Sequence, residues 1–129
     1  MISALAQINY IEKNNNFSKF ILDSVAILEK GLPKSSMNNC HGAGSILEAI
    51  SDVEYFMEYD MYEKKQSILK FLYIKTYYKG DHLYVNNETR DIISYDFGTG
   101  FSGIVYSLIR AQNNSRKLFF LDKERLDKL

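Results

Sequence analysis

The sequence predicts an all-α protein built of helical hairpins, and three observations favour that class. Apolar residues recur at helical spacing through most of the 129-residue chain. Gly31 followed by Pro33 forms a standard helix stop. Two glycine-rich segments, 42–44 and 98–103, each precede an apolar helix, and their period of roughly 55 to 60 residues is typical of a helical repeat.

The first two predicted helices cover residues 2–13 and 17–30. The first places apolar residues at three-residue steps, and the second gathers its apolar residues on one face. The residues expected to face inward are Leu5, Ile8 and Ile11 in the first helix, and Phe17, Phe20, Ile21, Val25 and Leu28 in the second.

The third helix follows the glycines at 42–44 and has the clearest helical period, and a fourth is predicted from a cap at Asp60 to about Tyr78, where Gly80 and Asp81 end it. The expected inward residues are Ile46, Leu47, Ile50, Val53, Phe56 and Met57, then Ile68, Leu69, Leu72 and Ile74.

Residues 82–96 change character and predict a small β-hairpin with strands at 82–85 and 91–95 around a polar turn. A last helix follows the second glycine segment, with Ile104, Val105, Leu108 and Ile109 apolar. An apolar tail at 118–121 precedes a charged end.

The composition limits the classes of function that the chain can have. Sixteen basic and sixteen acidic residues balance, and neither sign forms a long block, which argues against a nucleic-acid partner. The single cysteine excludes an internal disulfide and fits a reducing compartment. No stretch approaches the about 20 apolar residues of a membrane span, and no signal peptide is evident, so we expect a cytoplasmic protein without a transmembrane segment.

Cys40 and His41 are the candidate metal ligands. Zinc accepts thiolate sulfur and imidazole nitrogen in a tetrahedral shell. Gly42 and Gly44 let the backbone pass close to an ion, and the start of the following helix favours a thiolate. The structural alternative is a packed cysteine beside a polar histidine. A full zinc site needs three or four protein ligands, and His82, the only other histidine, is interpreted as an ordinary surface residue.

Two segments resemble motifs of the lanthionine synthetase C-like family, the lanthipeptide cyclases. Residues 39–48, which contain Cys40-His41-Gly42, resemble the family's Cys-His-Gly motif, and residues 97–110 are similar to its last inner-helix motif. The apolar tail at 118–121 is similar to the ending of the class II synthetases, which fuse a dehydratase to this cyclase.

The resemblance implies a seven-hairpin (α/α) toroid with Zn²⁺ at the mouth of its inner barrel. In this family the metal activates a cysteine thiol of the precursor peptide, which adds to a dehydrated serine or threonine and closes a thioether ring. By carry-over, Cys40 and His41 are two of the zinc ligands.

The chain also departs from the family. An upstream Trp-Cys-x-Gly-type motif supplies another zinc ligand in the family, and an earlier histidine serves in acid–base chemistry. Neither is present, so residues 1–129 are interpreted as a single C-terminal fragment with about two to three of the seven hairpins. We expect this fragment to have no catalytic residue of its own. We expect it to need the missing N-terminal part of the synthetase as a partner.

Two functions therefore compete. The first is a split or truncated component of lanthionine or methyllanthionine cyclisation in lantibiotic biosynthesis, inactive alone. The second is a non-catalytic helical remnant or interaction module without metal. Tyr95 and Asp96, just before the second glycine segment, are interpreted as cap or loop residues rather than barrel-mouth residues.

Overall fold

The computed structural model describes residues 1–85, 94–113 and 123–128. These residues are mostly helical, as predicted, and carry one small antiparallel sheet. The helices are α1 (Ile2–Ile11), α2 (Ser18–Gly31), α3 (Ala43–Met57), α4 (Tyr62–Lys75), α5 (Phe101–Asn113) and the short α6 (Lys123–Leu126). The strands are β1 (Thr76–Lys79) and β2 (His82–Val85), and a 3-10 turn, Leu32–Lys34, follows α2.

Helix α3 lies at the centre of the core and contacts α1, α2, α4 and α5. Five of the six residues predicted to face inward are buried, namely Ile46, Leu47, Ile50, Val53 and Phe56, and Met57 is partly buried against the core. A helix with buried residues around most of its circumference belongs inside a helical assembly rather than on its surface. The order of contacts, α1 with α2 and α3 with α4, agrees with consecutive helical hairpins.

The buried faces of the other helices differ in part from prediction. In α1 the buried residues are Ile2, Ala6 and Asn9, whereas Ile11 is exposed. Asn9 is accommodated because its amide donates to the Ser18 hydroxyl and accepts the Phe17 N–H. A polar residue with satisfied hydrogen bonds can occupy a core position that apolar periodicity does not indicate.

The other helices also bury only some of the residues that were predicted to face inward. Of the residues predicted to face inward, Ile21, Val25, Ile68, Leu72 and Ile104 are buried. Phe17, Phe20, Ile74 and Ile109 are exposed.

The fourth helix is shorter than predicted, and the hairpin lies earlier in the chain. Helix α4 ends at Lys75, and residues predicted as its last turn form β1, which pairs antiparallel with β2. Lys79 pairs with His82, so Gly80 and Asp81 are a two-residue hairpin turn rather than a helix stop. Gly80 has φ +61° at the first central position, as a type II′ turn requires.

Two sequence predictions fall partly or wholly on residues outside the described ranges. Of the second predicted strand, 91–95, residues 91–93 lie outside the described residues, and Ser94 and Tyr95 are not in a strand. The apolar tail at 118–121 also lies outside them. Across the described ranges, no helix has both the length and the apolar character to cross a membrane.

Candidate metal centre

The turn that carries Cys40 and His41 is closed by backbone hydrogen bonds from the start of α3. The Ala43 N–H donates to the Ser36 carbonyl at 2.8 Å, and the Gly44 N–H donates to the Met37 carbonyl at 3.2 Å. A Cβ at Gly42 would lie 2.5 Å from the Ser36 carbonyl oxygen, so this approach requires glycine. Gly42 thus lets the start of α3 approach the backbone of Ser36 closely.

Cys40 and His41 lie at the outer edge of this turn, and both are exposed. Below them Asn38 is buried, and its side-chain oxygen accepts the His41 N–H at 2.9 Å. Cys40 is a free thiol. The turn thus presents a thiol and an imidazole to solvent just before the N-terminal end of α3.

The second glycine segment packs directly against this turn. The Asn39 N–H donates to the Gly98 carbonyl at 3.0 Å, and the Ser107 hydroxyl of α5 donates to the Asn39 side-chain oxygen at 2.8 Å. A Cβ at Gly103 would meet the Phe97 carbonyl oxygen at 1.9 Å and Asn39 Cβ at 2.8 Å. The residue immediately before Cys40 is therefore fixed by both glycine segments.

A buried cluster of three charged side chains joins α3 to α5. Its two acidic members lie one and two helical turns along α3 from the turn that carries Cys40 and His41. Arg110 Nη1 donates to the Glu48 carboxylate at 3.0 Å and to the Glu48 carbonyl at 3.1 Å, and Nη2 donates to the Asp52 carboxylate. All three side chains are almost fully buried. Charges desolvated to this degree require such pairing. Arg110 lies in the segment 97–110, and its partners leave a signal in the sequence, two acids at i, i+4 within an apolar stripe, that was not used to predict this cluster.

Asp96 folds the second glycine segment, as the cap interpretation predicted. Its carboxylate accepts the Thr99 N–H at 2.6 Å and the Thr99 hydroxyl at 2.9 Å, and it also accepts from the Ser94 hydroxyl. These hydrogen bonds, led by the one from Ser94, lower the pKa of Asp96 to about 2. The carboxylate is thus occupied in shaping its own loop.

An apolar groove of about 590 Å³ opens beside Cys40. Its walls come from α1, α2, α3 and the second glycine segment, with apolar surface from Met1, Ile2, Ile27, Leu28, Ala49 and Phe97. Met1 and Ile27 are 81% and 68% exposed. The thiol therefore borders a surface that could receive an apolar segment of a second molecule.

Cys40 and His41 supply two donors of the type that zinc prefers, but the described ranges contain no group of three or more histidine, cysteine or acidic residues placed to hold a metal ion. His82 lies in β2, where its ring meets Tyr84 edge-on at 6.4 Å, and it does not line the groove beside Cys40. Cys40 and His41 therefore stay candidate ligands, and the described residues add no third donor to them.

Comparison of the chain with protein-family models, with curated proteins and with solved structures finds no match.

Proposed function

We propose that this chain supplies the Cys40–His41 half of a zinc site for lanthionine or methyllanthionine ring formation in lantibiotic biosynthesis. The proposal rests on the resemblance of residues 39–48 and 97–110 to cyclase motifs. One structural observation carries it further. The two motifs, distant in sequence, pack against each other at Asn39, the residue before the candidate thiolate ligand.

The donor set fits zinc in part. Cys40 as a thiolate and neutral His41 would hold the ion, and the remaining protein ligand would come from the missing N-terminal part of the synthetase. When bound, zinc lowers the pKa of a coordinated thiol so that it is deprotonated at neutral pH.

The chain's own residues have defined parts in this proposal. The turn at 36–44 holds Cys40 at the rim of the groove with His41 next to it in the chain, and the apolar walls of the groove would exclude water from the precursor peptide. In the overall reaction a peptide thiol loses its proton, its sulfur bonds to the β-carbon of a dehydrated serine or threonine, and the α-carbon takes up a proton. The parent (α/α) toroid would hold both reacting parts of the peptide.

The alternative is a non-catalytic helical module without metal. It is favoured by one observation, the lack of a third donor near Cys40 and His41 among the described residues. Zinc binding that depends on these two residues separates the two functions.

Alkylation of Cys40 tests the proposal, because it is the only thiol in the chain. We expect Zn²⁺ to slow the reaction of iodoacetamide with wild-type protein under reducing conditions, since a coordinated thiolate is a poorer nucleophile. His41→Ala should abolish this protection. His82→Ala is the matched control, because His82 is also exposed and lies in β2, and it should leave the protection unchanged.

The same reaction is then followed with the upstream part of a class II synthetase added as a second polypeptide. The proposal predicts stronger protection there, because a third ligand completes the site. If Zn²⁺ protects Cys40 neither alone nor in that mixture, the chain is not a zinc component and the non-catalytic module is the better description.

A further inference from the structure

A lysine side chain is held between aromatic rings at the C-terminal ends of α1 and α3. Lys123 Nζ lies 5.0 Å from the ring centroid of Tyr10 and 5.5 Å from that of Tyr55. It also donates to the Glu58 carboxylate at 2.8 Å. An ammonium between two aromatic faces and beside a carboxylate is the arrangement by which proteins recognise alkylammonium groups. We call Tyr10, Tyr55 and Glu58 the lysine cage.

The cage is electronegative for a second reason. It lies where α1 and α3 end, and a helix C-terminus carries partial negative charge from its unpaired carbonyl groups. Neither helix has a basic residue in its last turn. The cation that complements these two ends comes from α6, at the other end of the chain.

Glu58 occupies a position where glycine is the usual residue. It caps the C-terminus of α3 in the left-handed conformation, with φ 58° and ψ 26°. Residues with a Cβ rarely adopt this conformation. A glutamate here places a carboxylate at the helix end, and its side chain remains 80% exposed although it pairs with Lys123. The carboxylate is therefore reachable from solvent.

The cage opens into a cavity of about 520 Å³ lined by Glu54, Tyr55, Glu58, Tyr59, Asp60 and Lys123. Lys123 is the one cation among these lining residues. Glu54 is neutralised by Lys65 of α4, and Asp60 accepts the Tyr62 N–H at 2.9 Å. The Glu58 carboxylate beside the Tyr55 ring is therefore the part of this surface that is complementary to a positively charged side chain.

Lys123 is the first residue of α6. Helix α6 has four residues, of which Leu126 is buried. Beyond the cage, Tyr10 donates to the Asp127 carboxylate at 2.7 Å, and the Lys123 N–H reaches the Tyr55 hydroxyl at 3.5 Å. These contacts hold Lys123 between the two rings.

We propose that the lysine cage is a binding site for a lysine side chain of a peptide partner, and that Lys123 occupies it as an internal competitor. A group tethered in the same chain has an effective concentration of order millimolar. The partner lysine must therefore outcompete Lys123, which sets a threshold on binding. This proposal is independent of zinc and of thioether chemistry.

The experiment titrates N-acetyl-lysine-N-methylamide into full-length protein and follows the probe's ε-methylene proton signals by NMR. Ring currents of Tyr10 and Tyr55 should shift these signals upfield on binding. Lys123→Gln keeps most of the side-chain stem but removes the charge, and we expect it to bind the probe roughly fivefold to thirtyfold more tightly than wild type.

The matched control is Lys64→Gln, because Lys64 also forms a partly exposed ion pair, with Glu29, outside the cage. It should leave probe affinity unchanged. Leu126→Ala removes the buried apolar side chain of α6 and leaves all three cage residues in place, and it should also raise affinity. Adding Tyr55→Leu to Lys123→Gln should abolish the gain.

Several results would overturn the proposal. Affinity of Lys123→Gln and Leu126→Ala within twofold of wild type would show that Lys123 does not compete. Equal binding of N-acetyl-norleucine-N-methylamide would show that the ammonium is not recognised. Equal binding of n-butylamine would assign the cavity to a free amine rather than to a peptide.

Discussion

Arg110 and the pair Cys40–His41 mark the limits of prediction at the residue scale. Cysteine and histidine are rare in this chain, so their adjacency is visible in the sequence alone. Arginine is usually exposed, and its burial depends on carboxylates 58 and 62 positions away meeting it in space. The donor types of the candidate site could thus be predicted, whereas the ion pair that fixes its supporting helices could not.

Removing the Arg110 charge should destabilise the protein strongly. We expect Arg110→Met to lower the free energy of unfolding by about 3 to 5 kcal/mol, because Glu48 and Asp52 would remain buried without their cation. Urea denaturation followed by circular dichroism measures the loss.

Two comparisons make that measurement specific. Lys64→Met breaks a partly exposed pair and should cost only about 0 to 1 kcal/mol. Replacing Glu48, Asp52 and Arg110 together by apolar residues of similar volume should recover most of the stability. A single Arg110→Met variant as stable as Lys64→Met would contradict the buried pair.

At the scale of elements, α3 shows why some predictions succeed and the hairpin shows why others fail. Helix α3 has an unbroken apolar period over its whole length, and no competing structure fits that pattern. Residues 76–79 continue the polar and aromatic character of α4, and a glycine after them suits either a helix end or a hairpin turn. Only the pairing of Tyr77 with Tyr84, whose rings stack at 5.8 Å, decides between the two.

The docking of α6 should depend on pH at both ends of the scale. The hydrogen bond from Lys123, with its charge, lowers the pKa of Glu58 below its ordinary value of 4.5. Because the folded pKa is the lower one, this pair stabilises docking above pH 4.5, and the contribution is lost as pH falls through the folded pKa. The side-chain carbon shift of Glu58 in an NMR titration reports the midpoint, which should rise towards 4.5 in Lys123→Gln.

At alkaline pH the docking of α6 depends on pH with the opposite sign, because the stabilising contribution is lost as pH rises. The hydrogen bond to Asp127, with burial as a smaller cause, raises the pKa of Tyr10 from 10.0 to about 12. Its contribution is therefore complete below pH 10 and is lost as pH rises through about 12. Asp127→Asn should move the Tyr10 midpoint back towards 10. Unchanged midpoints in both variants would mean that α6 is not docked in solution.

At the scale of the whole molecule, the described helices place α3 between α1 and α5, with α2 and α4 beside it. The sequence predicted this succession of hairpins because each apolar face needs a neighbour. The closed toroid that the resemblance implies stays a prediction. In such a toroid the missing hairpins would cover the apolar groove beside Cys40. The proposal therefore requires a second polypeptide at this groove.

The groove should drive self-association of the isolated chain. Ile27 is 68% exposed at its edge, and apolar patches of this kind associate in water. We expect Ile27→Lys to shift the sedimentation profile from oligomers towards monomer. Ile74→Lys is the matched control, since Ile74 is 66% exposed on α4 and does not line the groove, and it should have little effect. A wild-type protein that sediments as monomer at all concentrations would refute this expectation.

The exposed position of the only thiol has a practical and biological consequence under oxidative stress. Two copies of the chain can be joined through Cys40 by a single intermolecular disulfide, and no rearrangement within one chain can compete with it. Such a crosslink would tie two grooves rim to rim and consume a thiolate at each. Exposure to peroxide would then switch the candidate metal centre off, and thioredoxin-type reduction would restore it.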